Sequence, residues 1–170
     1  MMETAAGEAR GANRSVMVDG AMQDNAKKPS TSMLLRRLLK TADLRGFLDK
    51  NEAAMNVPSF SEHIRALCRG AGETEERVIK RAAIERTYGH QLFNGTRRPS
   101  RDKVIQLAFG FGMDVGGAQE LLRAAGKSQL YPKIKRDAAL LYCFNKGADI
   151  FETQALLHEL GLDLLGGEGV

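Results

Sequence analysis

From residue 30 onward, every apolar run in the chain keeps helical spacing and ends at a glycine or a Pro/Gly pair, and no run alternates with the period of two that a strand needs. This confines the chain to short helices packed on one another, an all-α fold. Leu34, Leu35, Leu38 and Leu39 recur after the Ser30-Thr31-Ser32 cluster, with Arg36, Arg37 and Lys40 on the other face. Asp43, a good N-cap, opens a helix with an apolar stripe of Leu44, Phe47 and Leu48 that ends near Asn56, before Pro58. These two segments form an N-terminal helical pair.

The rest follows the same rules. Ser59 or Ser61 caps a helix expected to bury Phe60, Ile64, Leu67 and Cys68, with Gly70 and Gly72 as its stop. A helix from about Thr74 to Ala82 meets the tight connection Ala83-Ile84-Glu85, and another runs from roughly Arg86 to Asn94, where Gly95 supplies the positive φ of a helix end. Pro99-Ser100 starts a helix with Val104, Ile105, Leu107, Ala108 and Phe111 inside. Asp114 caps one carrying Val115, Ala118, Leu121 and Leu122, which stops at Gly126. Two more are expected to bury Ile134, Ala138, Leu141, Tyr142 and Phe144 as far as Gly147, then Phe151, Ala155, Leu156 and Leu160 as far as Gly161. Asp149 and Glu152 have capping-box spacing at the start of the last helix. Residues 1–29 lack aromatic residues and sustained periodicity and read as a disordered tail. The resulting organisation is a tail (1–29), a helical pair (30–58), a helical domain (59–126) and a C-terminal helical pair (127–170), with Gly-Gly-Glu-Gly-Val as a frayed end.

Composition excludes several classes. A collagen, a repeat array and a disulfide mini-protein do not fit these 170 residues with two cysteines. Cys68 and Cys143 stand apart as buried small hydrophobes, and His63, His90 and His158 are scattered, so no zinc site is expected. No window reaches the roughly 18 apolar residues of a membrane span, and the first residues carry acids and glycines instead of a signal-peptide core, so a cytoplasmic protein without membrane contact is expected. The net charge is +4, and the segment from Arg86 to Lys103 (Arg86, Arg97, Arg98, Arg101 and Lys103 against Asp102) holds all of that excess. A focused cationic patch is the footprint of a phosphate-binding surface. No nucleotide loop, metalloprotease motif or nucleophile elbow occurs, and Glu75 and Glu76, adjacent on a helix, are expected to diverge; no catalysis and no cofactor are assigned.

The stretch Thr74 to Ser100 consists of two helices, a three-residue turn, a glycine stop, a basic loop and a Pro-Ser helix start. Its spacing resembles the helix-turn-helix of the lambda-repressor-like (Cro/C1, XRE) family, over about residues 60 to 125 and five helices. Met33 to Leu165 more broadly is similar to bacterial XRE-type proteins. The resemblance implies that Arg86, Thr87, His90 and Gln91 point outward and read base edges, with Arg86 suited to guanine, Gln91 to adenine and the Thr87 methyl to thymine. It also places Asn94, Thr96, Arg97 and Arg98 on phosphates. Three features depart from the family pattern: Glu75 and Glu76 follow Thr74, Ile79 stands where a packing alanine is expected, and Gly89 stands where a large apolar residue is usual. Tyr88 and Phe93 filling the space beside Gly89, or a close approach of its backbone to DNA or a partner, are the alternatives. The function implied is sequence-specific binding of double-stranded DNA by a homodimer that regulates transcription, a repressor rather than an activator. The alternative is a helix-turn-helix scaffold that binds protein, through the C-terminal pair, where acids outnumber bases.

Overall fold

The computed structural model describes residues 29–166, so apart from Pro29 and Gly166 the segments read as tail and frayed end lie outside the described residues. Among these residues the chain is all-α, with no strand. Its helices are α1 (Thr31–Leu38), α2 (Leu44–Met55), α3 (Phe60–Ala71), α4 (Glu75–Arg81), α5 (Arg86–Phe93), α6 (Arg101–Gly110), α7 (Val115–Ala124), α8 (Lys135–Lys146) and α9 (Ile150–Glu159). Local chemistry sets the starts. Ser30, Asp43, Ser59, Thr74, Ser100, Asp114 and Asp149 each accept a bond from the backbone N–H three residues on, each cap contributing about 1 kcal/mol. The stop of α3 is Gly72, in the left-handed region, whereas Gly70 lies inside the helix.

Helices α3 to α9 share one buried cluster that runs from Ile64 to Leu165. At its centre is α6, buried from Val104 to Gly110 and packed against α4, α7 and α9. The approach to α4 is at backbone distance: a Cβ on Gly110 would sit 2.5 Å from the Val78 carbonyl oxygen and 2.8 Å from the Ala82 Cβ. The N-terminal helices differ. Among the described residues α1 buries nothing, α2 buries only Phe47, and both make at most sparse contacts with the other helices.

The second half contains a duplication. Residues 101–130 and 136–165 run in one ungapped register: Arg101, Asp102, Phe109, Gly112, Asp114, Gln119, Leu121, Leu122, Gly126 and Leu130 recur as Arg136, Asp137, Phe144, Gly147, Asp149, Gln154, Leu156, Leu157, Gly161 and Leu165. The hydrogen bonds recur too. Arg101 donates to the carbonyls of Ser128 (2.9 Å) and Gln129 (3.1 Å), and Arg136 donates to those of Asp163 (2.8 Å) and Leu164 (3.0 Å). The Gln119 side chain exchanges two bonds with the Leu130 backbone, as Gln154 does with Leu165.

The two hairpins face each other about a pseudo-two-fold axis. Arg101 forms a forked pair with Asp137 (2.8 and 3.1 Å), and Arg136 forms the reciprocal pair with Asp102 (2.7 and 3.0 Å). The equivalent rings of Phe109 and Phe144 stack with centroids 3.9 Å apart. Reciprocal contacts between equivalent residues define an isologous interface. Here both sides belong to one chain.

The last two helices turn a different face inward from the one their spacing suggests. Helix α8 buries Asp137, Ala139, Leu140, Cys143 and Phe144, leaving Ile134 and Tyr142 exposed. Helix α9 buries Ile150, Thr153 and Leu157, leaving Phe151 68% exposed and Leu160 55% exposed. In both, a polar residue (Asp137, Thr153) is bonded inside: Asp137 to Arg101, and the Thr153 hydroxyl to the Asp149 carbonyl (2.8 Å).

Candidate nucleic-acid interface

Helices α4 and α5 form the hairpin, joined by Ala83-Ile84-Glu85. The turn depends on Ala83, which holds φ at 51°, a left-handed conformation that costs an alanine about 1–2 kcal/mol. Gln106, buried in α6, braces it by donating to the carbonyls of Ala82 (3.2 Å) and Ala83 (3.4 Å). Glu85 caps α5 by accepting from the N–H groups of Thr87 and Tyr88, both at 2.8 Å, and these two bonds hold its carboxyl below the usual range.

Ile79 and Gly89 compensate each other in the core. A Cβ on Gly89 would lie 2.5 to 2.8 Å from three side-chain carbons of Ile79, so Ile79 fills the space beside Gly89. That space is not filled by Tyr88 and Phe93, and Gly89 is buried, so its backbone faces α4 and not an outside ligand. With Leu92 and Phe93 it forms the inner side of α5.

The outer side carries Arg86 and Thr87, both exposed, and His90 and Gln91, both half-buried. Two of these four are engaged by α4. Arg86 Nε lies 2.8 Å from Glu76 Oε1, and the ring nitrogens of His90 lie 3.3 Å from Glu76 and 3.8 Å from Glu75. The adjacent acids therefore converge on His90 instead of diverging, because α5 crosses in front of the first turn of α4. Gln91 makes no side-chain hydrogen bond among the described residues, and its carbonyl accepts from Arg97 N–H (3.1 Å).

Beyond Gly95, whose φ is +80°, the loop is exposed. Asn94 Oδ1 accepts from the N–H and hydroxyl of Thr96, which fixes the loop's shape. The Arg97 guanidinium lies 4.8 Å from the Tyr88 ring centroid, and the Lys103 ammonium 5.5 Å from the same ring. Arg98 is exposed and in no ion pair among the described residues. The cationic segment thus divides. Arg101 and Asp102 are consumed by α8, and Arg86 is paired, leaving Arg97 and Lys103 beside Tyr88 and Arg98 exposed in the loop. Tyr88 and Gln106 carried no sequence signal for these roles, because their partners come from the loop, from α6 and from the turn.

Elsewhere, Cys68 and Cys143 are free and buried, with the Cys68 thiol pushed up to about 11 chiefly by burial, and then by Glu75 and Glu73. His63 is half-buried and its pKa is lowered by that burial. Among the described residues no cluster of His, Cys, Asp and Glu could hold a metal ion, and no helix is long and apolar enough to cross a membrane. Set beside known families, curated proteins and solved structures, the chain matches none.

Proposed function

We propose that the chain binds double-stranded DNA through α5 and the loop after it, in the manner of a lambda-repressor-like (Cro/C1, XRE) helix-turn-helix protein. It does so as a cytoplasmic homodimer without cofactor, and acts as a transcriptional regulator by occupying a promoter. One observation carries the reading: a helix with an apolar inner side (Leu92, Phe93) and a polar outer side leads straight into an exposed loop where Arg97 and Arg98 have no acidic partner among the described residues. Gln91 and Thr87 read base edges, and Asn94, Thr96, Arg97 and Arg98 hold phosphates. Arg86 and His90 reach bases only by leaving Glu76 and Glu75. For Arg86 that exchange is accessible, because an exposed ion pair is worth only about 0–1 kcal/mol.

Selection from randomised duplexes with wild-type and Gln91→Ala protein tests the reading. The wild type enriches a motif, and the variant loses information at one position, an effect of about 1–3 kcal/mol. Identical motifs would remove Gln91 from base reading. A second reading, a protein-binding scaffold, is favoured by the acids Glu75, Glu76 and Glu85 that flank α5. It prevails if neither protein enriches any sequence.

A further inference from the structure

The duplication provides an internal control on which residues the hairpin scaffold needs. The two hairpins share their side-chain hydrogen bonds and much of their buried face, yet the second carries Phe151, Ala155, Leu160 and Leu164 where the first carries Gly116, Glu120, Ala125 and Gln129. The larger apolar side chains Phe151, Leu160 and Leu164 are exposed. Folding does not require them, because the first hairpin adopts the same hydrogen bonds without them. Charge shifts as well: Glu152, Glu159 and Asp163 replace Gly117, Ala124 and Ser128, while Lys103, Arg123 and Lys127 become Ala138, His158 and Leu162. On α9, Phe151 and Ala155 stand one turn apart on the exposed side, next to Glu152 and Glu159. The second hairpin thus has an apolar and acidic outer surface that the first lacks.

The chain also carries the complement. Residues 30–42 contain Arg36, Arg37 and Lys40 and no acid, and Leu35, Leu38 and Leu39 are exposed there, followed by Leu44 and Leu48 on α2. The dyad face of α6 and α7 is already covered by α8 and α9, so a second copy has to dock elsewhere. We propose that the basic, leucine-rich α1 segment of one copy, continued by Leu44 and Leu48 of α2, docks on the acidic outer face of α9 in a second copy. The contact is made twice about a two-fold axis, which closes the dimer. This interface gives the homodimer of the proposed function a location. Its test contains no DNA, so its failure is separate from failure of the DNA-binding reading.

The test is sedimentation equilibrium of the full chain with three sets of variants. Leu160→Ala and Leu164→Gln install residues that the first hairpin carries at the matching positions, so the scaffold accepts them. Together they weaken dimerisation roughly tenfold or more. Arg36→Glu with Arg37→Glu weakens it, as does Glu159→Lys, each by about tenfold, and the two changes combined recover most of the loss. A chain that stays monomeric up to about 100 μM, or a dimer indifferent to both the α9 and the α1 changes, overturns the proposal. So does a monomer whose Arg36 and Arg37 are needed instead for binding vesicles of anionic lipid.

Discussion

Ile79 and Gly89 divide one volume between two helices, and that exchange decides how closely α4 and α5 approach. Gly89→Ala forces the Ile79 side chain aside and is expected to destabilise the chain by about 1–3 kcal/mol. Ile79→Ala opens a cavity instead, at about 2–4 kcal/mol. Combining Ile79→Ala with Gly89→Leu places the large side chain on the other helix. Urea unfolding should then show a loss smaller than the sum of the single changes by about 1 kcal/mol or more, whereas strict additivity would mean the two residues do not share the space. Ala83 carries strain at the same scale. Ala83→Gly relieves its left-handed backbone and should raise stability by roughly 0.5–1 kcal/mol, and a lower melting temperature would contradict this.

At the scale of elements, α6 and α8 are joined by the Arg101–Asp137 pair, whose carboxylate is almost wholly buried. Removing either partner leaves a buried charge or carboxylate uncompensated. Arg101→Ala or Asp137→Ala should therefore cost about 3–5 kcal/mol in thermal or urea unfolding. Arg101→Ala should leave the salt dependence of DNA binding unchanged under conditions where the variant is folded. A changed salt slope would return Arg101 to the phosphate-contacting set. The caps and glycine stops of nearly all the helices were legible in the sequence, because a cap is local: Asp43, Thr74, Ser100 and Asp114 need only the next three residues. The inward faces of α8 and α9 were not. Ala138 to Phe144 is apolar nearly all the way round, and the side that goes in is chosen by Asp137 meeting Arg101, a partner 36 residues away. The duplication was hidden for a related reason: its repeated residues are caps, glycines and core leucines, each of which already has a local explanation. In the hairpin, the exposed and buried sides of α5 could be read from spacing. The grip of Glu75 and Glu76 on His90 could not, since it depends on how the two helices cross.

Across the whole molecule, a pseudo-symmetric platform of α6 to α9 supports a single α4–α5 hairpin, and the basic α1 segment makes at most sparse contacts with the other helices. The hairpin surface is divided, with Glu75 and Glu76 against Arg86 and His90, and a basic end formed by Arg97 and Arg98 of the loop and Lys103 after it, Arg97 and Lys103 lying over Tyr88. The central claim is that this basic end holds DNA phosphates. The most direct test is the affinity for a labelled random duplex as a function of salt, for wild type and for Arg97→Ala with Arg98→Ala. Wild-type affinity should fall steeply and linearly on a log–log plot. The double variant should bind specific and random duplexes more weakly, with a slope shallower by about 1.8, because each lost phosphate contact removes about 0.9. A wild-type affinity indifferent to salt, or a double variant with an unchanged slope, would contradict the claim.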